Sequence, residues 1–428
     1  MSGALLPITS LLLSVAILLT GHGIQLTLLP LRAESIGFSA TEIGITGSVY
    51  FLGFVIGCLT VPAIITRVGH IRTFAVLAAA ATSVLLVIEM TDRVGQWLAL
   101  RFVTGWALCG LYMVIESWLN EKAPSHVRGG VLAFYTMITL VAISGAQFII
   151  PLAPIGDATL FMLGAVLLCA SIIPVGLTRS IAPHAVHGVR FRPIRLFRTS
   201  QVAAVSVLLG GMITGAFWAL GPLYAGRRGF SIEAVSSYMS AVIIGGALFQ
   251  LPVGRLSDRF DRRKVILGLA AFGASVCTFG ALLGAEDERT LFVVGFLFGG
   301  AAMPLYALCV AHANDQIAER DFVEVASGLL MMNSIGSVLG PTIAAWLMTA
   351  APPGALPGYF ALCFMLAAGW TLYRLRSHAV TREHYQPFVN LPDTTQSAID
   401  MDPRGEAKEE TDGAVARVSS RPPNGSYS

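Results

Sequence analysis

Apolar stretches of about 20 residues, the length that carries a helix across a hydrocarbon layer, alternate with short polar connections along most of this chain. Twelve are predicted as membrane-spanning helices, at 9–31, 41–66, 71–90, 96–121, 128–152, 156–178, 200–225, 232–255, 263–285, 289–314, 323–349 and 355–376. Gly and Pro recur inside them, which lipid-embedded helices tolerate better than soluble ones. Most connections are short, so consecutive helices are expected to be antiparallel neighbours. The longest, 179–199, is basic and polar and divides the spans six and six. The expected organisation is therefore a bundle at 1–178, a linker at 179–199, a second bundle at 200–377 and a tail at 378–428. That tail is polar, holds five Pro and has no apolar period, the composition of a disordered segment.

Composition agrees. Only 12% of the 428 residues are charged and mean hydropathy is +0.71, against roughly 25% charged in a soluble domain. The start, MSGALLPITS, lacks the basic flank and cleavage site of a secretory signal, so the first apolar run reads as a retained helix. The six cysteines fall inside apolar runs without CxxC spacing and read as small buried hydrophobes, not ligands. No GxxxxGK[ST], no HExxH and no nucleophilic triad is present. ATP-driven pumping and enzymatic catalysis have nothing to stand on, and neither a cofactor nor a metal is expected.

The net charge of +3 says little, but its placement says more. Arg67, Arg72, Lys122, Arg128, the 179–199 cations, Arg320, Arg374 and Arg376 all fall on one side. So does the turn Gly254 to Lys264, GRLSDRFDRRK, with five basic and two acidic residues between two apolar runs. Cations mark the cytoplasmic side, so both termini are expected there. An internal repeat supports the six-and-six division. Leu111-Tyr112 and Asn120-Glu121 in the fourth span match Leu305-Tyr306 and Asn314-Asp315 in the tenth, with Gly105 against Gly299 in the same register. A reduced form of the charged turn, Pro62 to His70, lies between spans two and three. Two homologous six-helix bundles about an axis along the membrane normal are the economical reading.

The turn GRLSDRFDRRK resembles the cytoplasmic signature of the major facilitator superfamily, G-x-L-x-D-R-x-G-R-R/K, and Arg101-Phe-Val-Thr-Gly105 is similar to its fourth-helix Arg-x-x-x-Gly motif. WLALRFVTG, IESWLN and GALFQLPVGRLSDRFDRRKV further resemble the YcaD-like branch of bacterial members, over residues 9–377. The resemblance implies an all-α fold of twelve transmembrane helices in two pseudo-twofold-related bundles, and secondary transport by alternating access. It implies a cytoplasmic gate in which Gly254 and Asp258 belong to the turn and Asp258 caps a partner helix. Arg259 and Arg262 would pair with Asp315. In the first half, Thr66 stands where the motif has Asp, leaving Arg67, Gly69 and Arg72 to lean on Glu116 or Glu121. The superfamily's antiporter motif, G-x-x-x-G-P, is missing from span five and occurs instead at Gly336 to Pro341 in span eleven, which disfavours a drug/proton antiporter.

At 100° per residue, Arg101, Gly105, Leu108, Tyr112 and Glu116 share one stripe of span four, which must face protein or water. Arg101 would hold an anionic substrate or organise a proton relay, or else bond carbonyls of span one. Other mid-span candidates for a substrate cavity are His22, Gln25, Gln147, Thr214, Trp218, Gln250 and Asn333, each also explicable as an interhelical hydrogen bond. His22 is a proton-coupling candidate. The reading is a monomeric, proton-coupled transporter of a small polar or anionic solute, embedded in the bacterial inner membrane and without nucleic-acid partners. Export of hydrophobic compounds, or a non-transporting receptor on the same fold, are the alternatives.

Overall fold

The computed structural model describes residues 2–122, 128–177, 200–282, 287–316, 322–351, 354–377, 388–389 and 391–400. Among them are twelve helices long and apolar enough to span a membrane. They are α1 (Thr9–Ser35), α2 (Ala40–Val68), α3 (His70–Glu89), α4 (Val94–Glu121), α5 (Gly130–Leu152) and α6 (Thr159–Gly176, broken at Ser171). The second six are α7 (Gln201–Arg227), α8 (Ile232–Arg259), α9 (Arg262–Leu282), α10 (Glu288–Asn314), α11 (Val323–Ala350) and α12 (Ala355–Ser377). Several run a turn beyond their apolar stretch, as α8 does to Arg259, because helical hydrogen bonding continues into the polar interface.

The starts and turns follow from local chemistry. Ser39 and Glu42 form a capping box at the head of α2, and Ser231 caps α8 in the corresponding place. Each is preceded by a glycine of positive φ, Gly37 at 93° and Gly229 at 83°. Packing repeats in the same way. In the first half α2 lies on α4, α3 on α4, α1 on α5 and α6, and α3 on α6; six helices on, α8 lies on α10, α9 on α10, α7 on α11 and α12, and α9 on α12. At the α2–α4 crossing a Cβ on Gly105 would overlap the Tyr50 carbonyl, and at the α8–α10 crossing a Cβ on Gly299 would overlap that of Val242. The matched glycines therefore set matched helix contacts. The chain is two six-helix bundles, as its repeat implied.

Apolar side chains stay exposed around the outside, among them Val76, Val141, Leu248 and Met365. A surface this apolar suits hydrocarbon, not water. The halves meet through α1 on α7, α2 on α7 and α11, and α5 on α8.

Part of the tail departs from its expected disorder; residues 378–387, 390 and 401–428 lie outside the described residues. Residues 388–389 and 391–400 lie against the bundle, and a short helix α13 (Gln396–Asp400) packs on α4 and α11. Leu391, Ala398 and Ile399 are buried, so a few apolar side chains within a polar sequence find a hydrophobic seat. The 179–199 linker lies outside the described residues.

Candidate functional site

A central cavity of about 220 Å³ lies between the halves. Seven Phe, Tyr and Trp rings line its wall: Tyr50, Phe51, Phe54, Tyr112 and Tyr135 from the first half, Trp218 and Tyr306 from the second. Tyr112 and Tyr306, matched by the repeat, face the same space from opposite halves. Of the predicted cavity residues, His22, Tyr112, Thr214, Trp218, Gln250 and Asn333 line it. Thr136, Thr139, Ser334 and Ser337 add hydroxyls. Sequence reasoning missed most of the aromatic lining, since at helical spacing an aromatic looks the same whether it meets core, cavity or lipid.

Three predicted cavity residues stand elsewhere. Gln147 joins α5 to α1, accepting from Thr27 Oγ1 at 2.5 Å and donating to the Gly23 carbonyl at 3.1 Å. Gln25 is 2% exposed and outside the lining. Arg101 is also outside it, its guanidinium stacked 4.6 Å from the centre of the Tyr50 ring. The close crossing that Gly105 permits brings Tyr50 under Arg101, so Arg101 meets the cavity through that ring. His22 stacks on Tyr50 as well, centroids 6.3 Å apart.

The two ends of the cavity differ. At the end away from the basic turns the halves touch directly. Gly44 faces Pro341 and Ala345, and Gly47 faces Ala219. Ser48 and Thr342 hydroxyls are 2.7 Å apart, Ser240 Oγ donates to the Ser144 carbonyl at 3.2 Å, and Glu34 pairs with Arg227 at 2.7 Å. The Gly336–Pro341 motif lies where α11 crosses α7; a Cβ on Gly336 would overlap the Leu208 carbonyl and one on Gly340 that of Met212.

At the basic end, tail residues Leu391 to Thr394 complete the cavity wall. Thr394 and Thr395 hydroxyls donate to Glu116, which also accepts from Tyr135 at 3.0 Å. Asn333 Nδ2 donates to Asp393 at 3.2 Å. Asp393 keeps accessible surface because it projects into the cavity.

The predicted gate residues divide. Arg262, 2% exposed, pairs with Asp315 at 3.1 Å and lies 3.6 Å from Asp258. Asp258 accepts the N–H of Phe388 at 2.9 Å, and Gly254 leaves room for the Phe388 ring, which a Cβ there would approach to 2.5 Å. Arg259 is exposed. In the adjoining turn, burial pushes the Asp261 carboxyl up, but the Arg263 side chain and N–H outweigh it and hold it below the usual range. In the first half Gly69 turns the chain with φ 85°, while Arg67, Arg72 and Glu121 are exposed. Glu116 is fully buried and does not meet Arg67 or Arg72. It sits five residues, about 7.5 Å of helix, below Glu121, and at that depth it meets hydroxyls. No group of His, Cys, Asp and Glu with metal-binding geometry occurs among the described residues.

The model of the Major Facilitator Superfamily matches residues 11–246 and 229–388. The uncharacterized MFS-type transporter YcaD of Salmonella typhimurium is 26% identical over 346 residues, covering 80% of this chain and 89% of the relative. Two solved structures share the fold. The nucleoside transporter NupG aligns with TM-score 0.71 at 12% identity, over 87% of this chain and 100% of its own. A bacterial homologue of the human lysosomal transporter Spinster, inward-facing and occupied, aligns with TM-score 0.71 at 13% identity, over 87% and 96%. With its fold, its matched halves and its charged turn accounted for, this chain belongs to the Major Facilitator Superfamily and is a multi-pass membrane transporter of small molecules, not an enzyme.

Proposed function

We propose that this transporter works by alternating access and that its cargo is a small, uncharged or weakly polar solute carrying an aromatic ring. The observation that carries the proposal is the cavity wall: aromatic rings from both halves, hydroxyls and amides between them, and no carboxylate, guanidinium or ammonium from a spanning helix among the described lining residues. An anion would enter such a space without a partner for its charge, which is costly away from water. Arg101 would have supplied one, but it lies beyond Tyr50. The anionic cargo suggested by the sequence is therefore disfavoured, and the reading moves towards the aromatic and apolar end. The nucleoside named for NupG is one example of that chemistry.

The contacts between halves support an alternating cycle. Direct helix contact shuts the end away from the basic turns, while the other end is filled by tail residues instead of by helices. By the positive-inside rule the basic end is cytoplasmic, which makes this the inward-facing arrangement of an inner-membrane protein with both termini inside. His22, in the wall and stacked on Tyr50, is the residue proposed to couple transport to protons. Function as a monomer is part of the same proposal.

The test is a thermal-shift screen of the purified protein against neutral aromatic solutes, nucleosides included, and against matched carboxylates and phosphates. Neutral aromatic solutes should raise the unfolding temperature, and Trp218→Ala should abolish the shift. Stabilisation by anions alone would sink the reading. Flux of a hit in proteoliposomes under an imposed gradient then separates a transporter from a receptor.

A further inference from the structure

Part of the cavity wall is not made by any spanning helix. Leu391 to Thr394 face it from the tail, held between anchors on both halves. On the first half, Glu116 of α4 accepts both threonine hydroxyls, with Tyr135 of α5 as its third partner. On the second, Asn333 of α11 donates to Asp393, and Asp258 and Gly254 of α8 hold Phe388. Leu391 and Ile399 are 3% and 0% exposed.

We propose that residues 388–400 are an autoinhibitory strap, a stretch of this chain that docks in the basic mouth of the transport cavity, blocks it and wedges the halves in the state closed at the opposite end. Two features of the site argue for a removable ligand. The groups it satisfies, Glu116 and Asn333, sit at or beside the path a solute must take, and a buried carboxylate keeps its polarity only at a cost unless hydroxyls or N–H groups reach it. The strap also bridges elements that an alternating cycle moves relative to each other. When the basic ends close, the volume it fills disappears, because side chains at a closed interface pack as densely as a protein interior. The strap must leave first. The charged turn acquires a second task in this arrangement, since the same Gly254 and Asp258 that mark the superfamily motif seat Phe388.

The regulatory consequence rests on the transport reading, but the docking is tested without any cargo. In a background lacking the six native cysteines, Ser334→Cys places a thiol in the cavity wall, and a membrane-impermeant maleimide is applied from the basic side. Truncation after residue 387 should speed labelling about tenfold, as expected when a local closed state is lost. A synthetic peptide of residues 388–400 should restore protection. Should the truncated chain misfold, the full-length double variant Thr394→Val/Thr395→Val carries the same test. Spin labels at the exposed positions 67 and 255 report the wedge: removing the strap should add a shorter-distance population. Unchanged labelling rates, or an unchanged distance distribution, overturn the proposal. Absence of flux with accelerated labelling would instead fault the transport reading and leave the docking standing.

Discussion

The two ends of the central cavity are closed by different physics. Away from the basic turns, α2 meets α11 and α7 through Gly44 and Gly47, and backbone approaches backbone. At the basic end a peptide segment stands between the halves, holding on through a few hydrogen bonds and three buried aliphatic side chains. A seal built on small residues is broad and has no detachable part; it opens only when whole helices move. A seal built on a tail releases one bond at a time. The end free to change quickly is therefore the end whose closure is not made of helices.

The largest effect should come from spoiling the helix seal. Gly44→Val places side-chain atoms against the Pro341 carbonyl, 2.6 Å from where a Cβ would sit, and against Ala345. Overpacking normally costs about 1–3 kcal/mol, and a backbone obstacle leaves little room to relax. Spin labels at the exposed Ser35 and Glu233 should report a longer distance, with a lowered unfolding temperature. An unchanged distance would show that this end is not held by the glycine contact.

A smaller but still large effect belongs to the basic end. Asp315→Ala removes the near partner of Arg262, which is 2% exposed, and breaking a buried pair costs about 3–5 kcal/mol. Asp258, 3.6 Å from Arg262, takes up part of that loss, so the measured destabilisation should fall at or below the lower bound. Chemical denaturation in detergent measures it, and adding Arg262→Met should restore stability if the unpaired charge is the cause.

The smallest effect sharpens the contrast. Glu34 and Arg227 join the halves at the helix-sealed end, yet their side chains are 31% and 38% exposed. Exposed pairs contribute about 0–1 kcal/mol, so Arg227→Ala should barely move the unfolding temperature or the Ser35–Glu233 distance. A loss comparable to Gly44→Val would mean that the rim charges, not the glycines, close this end.

The twelve spans, their division into sixes and the match between Gly105 and Gly299 were legible in the sequence, because lipid imposes length and apolarity on every crossing and a duplicated bundle keeps its crossing points. The Arg262–Asp315 pair was legible too, through the motif. Depth misled for Gln147 and Arg101. Both are polar at mid-span, but whether such a residue faces a cavity or a neighbouring helix depends on helix rotation and on which glycine lets which helix close in. Glu116 was placed with the surface arginines because position along a helix does not reveal what covers its end.

By itself, then, the sequence determined the solvent, the number of crossings, the repeat and the charge asymmetry, all of which are one-dimensional records of a layered environment. Tertiary structure alone decided that aromatic rings line the cavity, that Arg101 lies behind Tyr50, and that a polar tail returns to fill the mouth. Those outcomes turn on which surfaces meet across hundreds of residues. A short segment such as LPDTTQSAID looks solvated until a buried carboxylate and an apolar seat on two separate halves give its hydroxyls and its few aliphatic side chains somewhere to go.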